Sequence, residues 1–202
     1  MPRMIARIRA ACAEVVAWTE GWLSGLPGIT GRRARGWYYG RRLAHLGPSA
    51  YISTGVEFIA PERIRIGERF TALRYCLLCA SGGGRIEIGN DVSLANNAVI
   101  NAAHQGFIAI GHHCGIANNC VLRTSPYRYD DPDRPFKTQG HVPGTIVLEE
   151  DVWLTVNSVL LPGTYLERGC VVCPGSVVSG RVKAYSVVAG NPARVIGRRG
   201  IS

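Results

Sequence analysis

Aliphatic side chains recur along the second half of the chain at intervals of six residues. Six of them keep the interval without a break: Leu148, Leu154, Leu160, Leu166, Val172 and Val178. An amphipathic helix repeats every 3.6 residues and a half-buried strand every two, so neither explains this spacing. A short strand followed by a turn, repeated every six residues, is typical of a parallel β-helix of hexapeptide type. The pattern therefore predicts a three-sided solenoid in which each hexad forms one face.

The same interval occurs earlier, in three blocks that begin at Ile66, Ile88 and Ile110, 22 residues apart. We interpret each block as an 18-residue coil with a four-residue insertion at one corner. Four positions after each aliphatic residue comes a second residue that we expect to fill the interior. These residues are Phe70, Cys76, Val92, Ala98, Cys114, Cys120, Val152, Ser158, Thr164, Cys170, Ser176 and Val182. Coils stack about 4.8 Å apart, so equivalent side chains should form ladders.

The regular pattern predicts an all-β fold with a short α-helical N-terminal segment and one long loop. Residues 1–50 form the basic helical segment, 51–188 the β-helix, and 189–202 a C-terminal cap and basic tail. We expect an amphipathic helix over 4–23, an arginine-rich helix or hairpin over 31–46, and the first coil near Ile52. The interval between Leu122 and Leu148 is 26 residues instead of six, which predicts a loop over 123–147. Long loops on rigid scaffolds are usually functional.

The net charge of +9 is concentrated at the two ends of the 202-residue chain. Residues 1–50 hold eight arginines and two glutamates, and 181–202 hold five basic residues and no acid, which leaves −2 for 51–180. Basic ends favour phosphate-bearing small molecules or an anionic membrane as partners. We expect no nucleic-acid partner, because no recognised binding motif or stacking platform is present. The sequence has no 18-residue apolar run, so the predicted location is cytoplasmic. The N-terminal segment either contacts the inner membrane peripherally or packs against the barrel or a neighbouring subunit.

Seven cysteines include two C-x-x-C spacings, Cys76 with Cys79 and Cys170 with Cys173. That spacing alone suggests zinc. The register argues against a metal, because Cys76 and Cys170 fall at interior positions, where a reduced thiol packs as a small apolar group. We therefore expect no metal site and no disulfide framework.

Several motifs in fixed order resemble one known family. They are Asp130-Asp131-Pro132, Gln139-Gly140-His141, Asp151-Val152-Trp153, Leu161-Pro162-Gly163 and the run from Ala189 to Ile196. With the hexads, they make residues 47–200 similar to the hexapeptide-repeat acyltransferases, in the branch of sugar and polysaccharide O-acetyltransferases. The resemblance implies a left-handed β-helix assembled as a homotrimer, with acetyl-CoA as acyl donor in clefts between barrels, a glycan or small-molecule acceptor, and no metal.

The resemblance also implies roles for particular residues. In such enzymes a loop histidine acts as general base on the acceptor hydroxyl, and backbone N–H groups hold the oxyanion. The candidates for contact with the coenzyme in this chain are Trp153, Thr155, Asn157, Asn191, Arg194 and Arg198. A simple cap on the last coil is an equally good interpretation of the turn at Asn191.

The chain departs from the family pattern where the branch carries its histidine. Alignment on Asp130 puts Tyr127 at that position, and tyrosine is a weak base at neutral pH because its ordinary pKa is about 10. His104 precedes Pro126 by one 22-residue period, so it should lie at the same corner one coil below, and His141 lies in the loop itself. The predicted catalytic candidates are therefore His104, His141 and Tyr127.

Three hypotheses for function remain open at this level. The first is acetyl-CoA-dependent O-acetylation of a sugar or surface polysaccharide precursor. The second is N-acylation of an amino sugar nucleotide, which needs less help from a base once the amine is deprotonated. The third is a catalytically degenerate β-helix that serves as a scaffold or partner subunit, which the replacement of the usual histidine by Tyr127 favours. The fold alone cannot decide among them.

Overall fold

The computed structural model describes residues 2–200, which form two N-terminal helices followed by a parallel β-solenoid. Helix α1 spans Pro2–Gly25 and α2 spans Gly28–Arg42. The second helix thus begins and ends a few residues earlier than the predicted 31–46. The solenoid also begins earlier than predicted, because strand β1 (His45–Leu46) precedes Ile52 and pairs with the second coil. No helix within residues 2–200 has both the length and the apolar character that a membrane crossing requires.

Three parallel sheets form the faces of the solenoid, as the hexads predict. Sheet A contains β1, β4 (Ile64–Ile66), β7 (Arg85–Ile88), β10 (Phe107–Ile110), β13 (Thr145–Leu148), β16 (Tyr165–Leu166) and β19 (Arg181–Val182). Sheet B contains β2 (Tyr51–Ile52), β5 (Thr71–Ala72), β8 (Ser93–Leu94), β11 (Gly115–Ile116), β14 (Trp153–Leu154), β17 (Val171–Val172), β20 (Ser186–Gly190) and the antiparallel β21 (Ala193–Arg198). Sheet C contains β3 (Glu57–Ile59), β6 (Leu77–Cys79), β9 (Val99–Asn101), β12 (Val121–Arg123), β15 (Val159–Leu160) and β18 (Val177–Val178). Two 3₁₀ turns cover Pro61–Arg63 and Phe136–Thr138.

The register of the sheets confirms the predicted coil lengths. Ile66 pairs with Ile88, Ile88 pairs with Ile110, and Ile110 pairs with Leu148 on the far side of the loop. Both predicted sets of interior residues are buried, from Ile66 to Val178 and from Phe70 to Val182. The prism is therefore filled by stacked aliphatic side chains, with thiols and hydroxyls among them.

The coils turn at three corners, which we name A–B, B–C and C–A after the sheets that they join. Left-handed backbone conformations recur there, and asparagine adopts them at lower cost than most residues. Asn97, Asn119 and Asn157 occupy equivalent positions at the B–C corner with φ near 60°. The Asn97 amide donates to the Asn119 side-chain oxygen over 3.0 Å, and the Asn119 amide donates to that of Asn157 over 3.1 Å. The ladder ties three successive coils together.

A buried arginine fixes the helical hairpin to the solenoid. The Arg35 side chain is 2% exposed, and its Nε donates to the Ile52 carbonyl over 3.0 Å. Its Nη1 donates to the carbonyls of Leu23 and Leu26 over 2.9 and 2.7 Å. Burial lowers the pKa of this guanidinium. One side chain thus joins α1, the link between the helices and the first coil.

Candidate active site

The long loop leaves the solenoid at the C–A corner through a narrow neck. The Thr124 N–H donates to the Asn101 carbonyl over 3.1 Å, and the Phe107 N–H donates to the Gly144 carbonyl over 3.0 Å. A Cβ atom at Gly144 would lie 2.7 Å from both the Thr124 carbonyl oxygen and the Pro162 Cβ. Only glycine fits where the loop returns, so the two ends of the loop are held against each other.

The two ends of the loop continue as a short antiparallel ladder. The Arg128 N–H donates to the Gly140 carbonyl over 2.9 Å, and the Val142 N–H donates to the Pro126 carbonyl over 3.0 Å. Tyr127 and His141 face each other between these bonds. The backbone therefore brings His141 back over the corner where the loop began.

Three aromatic side chains meet above that corner, and we name them the imidazole cluster: His104, Tyr127 and His141. The His104 and His141 rings stack with centroids 3.7 Å apart and planes inclined by 9°. The Tyr127 ring lies 4.1 Å from His141 at 33°, on its other face, because two rings so close cannot share one face. Phe136 packs edge-on against Tyr127 at 5.1 Å. All three catalytic candidates from the sequence are thus in contact.

One hydrogen bond selects the tautomer of a neutral His141 ring. Its Nδ1 lies 3.2 Å from the Ser125 carbonyl oxygen, which can only accept. A neutral ring in this arrangement carries its proton on Nδ1 and presents a lone pair at Nε2. The side chain is half-buried, so its outer edge reaches solvent. This is the arrangement that a general base requires.

Gln139 organises the rest of the loop. Its side-chain nitrogen donates to the carbonyls of Asp131 and Arg134, each over 2.8 Å, and its oxygen accepts from the Asp131 N–H over 3.2 Å. Arg134 in turn donates to the Thr138 carbonyl over 3.0 Å. The residues between the two ends of the loop are therefore folded around one amide, although Tyr129 at the tip is exposed.

Two further histidines, His112 and His113, lie at the A–B corner and have other partners. His112 is exposed, and its Nδ1 accepts from the Asn90 N–H over 2.9 Å. His113 lies 3.6 Å from the Asp91 carboxylate. Neither belongs to the imidazole cluster.

The coenzyme candidates lie on sheet B and at the B–C corner. The Trp153 ring is half-exposed, and its Cδ1 lies 3.5 Å from where a Cβ of Gly115 would be. With Asp151, Val171 and Arg199 these residues line a cleft of about 500 Å³. Arg199 donates to the Asp151 carboxylate over 2.7 Å, which fixes one cation at the edge of the cleft.

Two predicted coenzyme residues are already engaged inside the protein. The Thr155 hydroxyl donates to the Val172 carbonyl over 2.6 Å, and Asn157 accepts the last bond of the asparagine ladder. Asn191, Arg194 and Arg198 are exposed in the β20–β21 hairpin. Their proposed role stays a prediction, and within one chain the cleft and the imidazole cluster lie on different sides of the prism.

The interior thiols have the environment that the register predicts. Cys76, Cys114, Cys120 and Cys170 are buried and free. Burial raises the pKa of each, to about 11 for Cys114, so they remain protonated and inert at neutral pH. Within residues 2–200, no three histidine, cysteine or acidic side chains are grouped as a metal site requires.

Sequence reasoning missed Ser125 and Phe136, which support the imidazole cluster. Ser125 acts through its backbone carbonyl, a role that residue type does not reveal. Among the side chains that the structure describes, its hydroxyl is the one polar group that is buried without a hydrogen-bond partner. Phe136 lies nine residues from Tyr127, and only the 3₁₀ turn at Phe136–Thr138 brings the two rings together.

Comparison with known proteins gives partial matches in sequence and extensive ones in structure. No family model matches the chain. Over 76 residues it is 37% identical to a probable acetyltransferase of Mycobacterium tuberculosis, covering 38% of this chain and 25% of that protein. The match thus spans about a quarter of that relative's length.

Two solved structures resemble nearly the whole chain. One is a variant of AntD, an N-acyltransferase from Bacillus cereus in complex with dTDP-4-amino-4,6-dideoxyglucose and Coenzyme A, with a TM-score of 0.73, 18% identity, and coverage of 83% of this chain and 89% of that one. The other is a maltose O-acetyltransferase from Clostridium difficile, with a TM-score of 0.60, 18% identity, and coverage of 98% and 89%. At these identities the matches show a shared fold.

Proposed function

We propose that this chain is a hexapeptide-repeat acyltransferase that transfers an acetyl group from acetyl-CoA to a hydroxyl of a sugar or surface polysaccharide precursor; the partial match to a probable acetyltransferase and the fold shared with solved acyltransferases support this. The observation that carries the proposal is the state of His141. Its Nδ1 lies 3.2 Å from the Ser125 carbonyl oxygen, so the Nε2 of the neutral, half-buried ring remains as a proton acceptor. Tyr127 occupies the position at which similar enzymes carry their histidine base, and in this proposal the imidazole cluster supplies the base instead.

In this mechanism His141 is the general base. Its Nε2 takes the proton of the acceptor hydroxyl while the hydroxyl oxygen attacks the thioester carbonyl carbon. Backbone N–H groups stabilise the tetrahedral oxyanion, the C–S bond breaks, and the CoA thiolate leaves and takes up the proton. The Ser125 carbonyl supports the imidazolium that forms in between. His104 and Tyr127 hold the ring in place from its two faces.

We further propose that the complete site is formed between copies of the chain in a trimer. The imidazole cluster lies at the C–A corner, whereas Trp153 and Arg199 lie on sheet B. A thioester bound on sheet B of one copy can meet His141 of a neighbour, and packing the prisms side by side provides that geometry. The solved AntD complex holds Coenzyme A on the same fold.

N-acylation of an amino sugar nucleotide is the second candidate. The likeness to the AntD complex, which contains an amino sugar nucleotide, favours it. Because a neutral amine is nucleophilic without deprotonation, the exchange of the usual histidine for Tyr127 is less costly in that reaction. Hydroxylamine distinguishes the two products, since it cleaves acetyl esters and leaves acetamides intact.

The test is CoA release by the full chain with a panel of sugar and amino sugar acceptors. We expect His141→Ala to lower kcat by about 10²- to 10⁴-fold with little change in the KM for acetyl-CoA. His45→Ala is the control, because that exposed histidine lies in the first coil. Calorimetric titration with acetyl-CoA is the companion measurement. If the chain fails to bind acetyl-CoA, the degenerate scaffold is favoured. If His141→Ala keeps full activity, another residue is the base.

A further inference from the structure

Helix α1 carries an apolar stripe on the side that faces solvent. Met4, Val15, Trp18 and Trp22 are between 61% and 75% exposed. Their spacing of eleven, three and four residues places them on one face of the helix. The apolar face predicted for this helix also includes Ile5 and Ile8, whose side chains lie outside the part of the chain that the structure describes. Leu23, in contrast, is buried.

Helix α2 also exposes apolar and cationic side chains. Ile29 and Trp37 are 64% and 63% exposed. The Arg41 guanidinium lies 4.1 Å from the Trp37 ring centroid and donates to the Trp37 carbonyl over 2.9 Å. Three of the four tryptophans of the chain are therefore exposed on the helical hairpin, residues 2–42. Isolated exposed apolar residues are ordinary, but a group of this size marks an interaction surface.

The hairpin is also strongly basic. The sequence contains no aspartate or glutamate from Gly21 to Val56. Arg35 is buried and Arg42 lies 3.5 Å from the Glu20 carboxylate, whereas Arg32, Arg33 and Arg41 are exposed. Exposed cations beside exposed tryptophans match the two layers of a membrane interface, phosphate groups outside and acyl chains beneath.

We propose that the helical hairpin docks the protein on a lipid bilayer that contains anionic headgroups. Trp18 and Trp22 enter the boundary between headgroups and acyl chains, and the α2 arginines bind lipid phosphates. The Arg35 anchor then holds the solenoid at the membrane surface. The proposal concerns binding alone and is independent of the acyl transfer proposed above.

Charge favours this occupant over a second copy of the chain. Pairing of the same face on two copies would bring two sets of unpaired arginines together, and like charges oppose such contact. An anionic bilayer reverses the sign of that interaction and also covers the tryptophans. The exposed charges predict a binding strength that falls with ionic strength, since the Debye length shrinks to about 3 Å at 1 M salt.

The experiment is co-sedimentation of the full chain with vesicles of 70% phosphatidylcholine and 30% phosphatidylglycerol. We expect binding that is lost on neutral phosphatidylcholine vesicles and weakened by salt. Arg32→Gln with Arg33→Gln should weaken binding by about fivefold per arginine. Trp18→Ala with Trp22→Ala should reduce it at least tenfold, while Trp153→Ala and Arg123→Gln on the solenoid leave it unchanged.

Brominated acyl chains give a second readout that does not depend on stability. In a variant with Trp37→Phe and Trp153→Phe, only Trp18 and Trp22 remain, and the brominated chains should quench their fluorescence. Circular dichroism checks that each variant is folded. The proposal is overturned if the wild-type chain ignores anionic vesicles. It is equally overturned if Trp18→Ala with Trp22→Ala leaves vesicle binding unchanged and instead changes the oligomeric state measured by sedimentation velocity. The stripe on α1 would then be a contact between copies of the chain.

Discussion

Two corners of the same solenoid use polar side chains in different ways. At the B–C corner, Asn97, Asn119 and Asn157 repeat from coil to coil, and each side chain bonds to the next. At the C–A corner, His104 meets no equivalent residue one coil above, because the chain leaves the solenoid there and returns with His141. Both His104 and Asn119 have positive φ angles, near 53° and 59°.

The difference shows what a break in the repeat provides. A ladder of identical side chains uses its donors and acceptors internally, so it adds stability and offers little to a ligand. The stacked imidazoles come from positions 37 residues apart, and His141 bonds to a backbone carbonyl through its Nδ1. The regular corner therefore serves the fold, and the interrupted corner is where a reactive group can be held ready.

Removal of the ladder should have the largest effect on stability. We expect Asn119→Ala to lower the free energy of unfolding by about 2 kcal/mol, because two hydrogen bonds are lost and alanine disfavours a positive φ. Asn119→Gly tolerates that φ and isolates the hydrogen bonds, at about 1 kcal/mol. Urea unfolding measures both. A variant that keeps the stability of the wild type but loses acetyl transfer would show that this corner also takes part in function.

His104 should affect rate more than stability. His104→Asn keeps a residue that tolerates the positive φ but removes the ring beneath His141. We expect kcat to fall about tenfold, equivalent to about 1.4 kcal/mol, with the KM for acetyl-CoA unchanged. Ser49→Asn, at another positive φ in the first coil, is the matched control. A loss as deep as that of His141→Ala would instead identify His104 as the base.

The smallest effect is expected at Ser125. Its buried hydroxyl lacks a partner within residues 2–200, so Ser125→Ala should be neutral or stabilise the protein by up to about 1 kcal/mol. Activity should persist, because His141 is held by the backbone carbonyl. Ser158→Ala should destabilise by about 1 kcal/mol, since that buried hydroxyl donates to the Thr155 carbonyl over 2.8 Å. A fall in kcat for Ser125→Ala would assign the hydroxyl a part in the reaction.

The solenoid was predictable because its determinants are periodic. The 22-residue spacing of Ile66, Ile88 and Ile110 reappears as strand register, and interior cysteines such as Cys114 follow from their place in the hexad. The length of the loop follows from the same count. Each hexad has one aliphatic residue to bury, and that residue determines which side of the hexad faces the interior. The local sequence therefore determines the fold of the solenoid.

The site was predictable only as a set of candidates. His104 and His141 emerge from the sequence as alternatives, and the structure stacks them because the loop folds back through backbone pairing of Pro126 and Val142. Such pairing depends on where the two ends of the loop lie in space, which no local pattern encodes. For the same reason the sequence does not reveal that the hydroxyl of Thr155 is already bonded to the Val172 carbonyl.

Because the neck of the loop is closed, the loop can change during evolution without a change in the solenoid. Thr124 and Gly144 are in contact, so the nineteen residues between them form a separate unit whose length does not alter the stacking of the coils. Loop closure adds only about 0.6 kcal/mol for each doubling of length. A lineage of such proteins can therefore exchange this segment to accept different substrates while the prism that carries it remains the same.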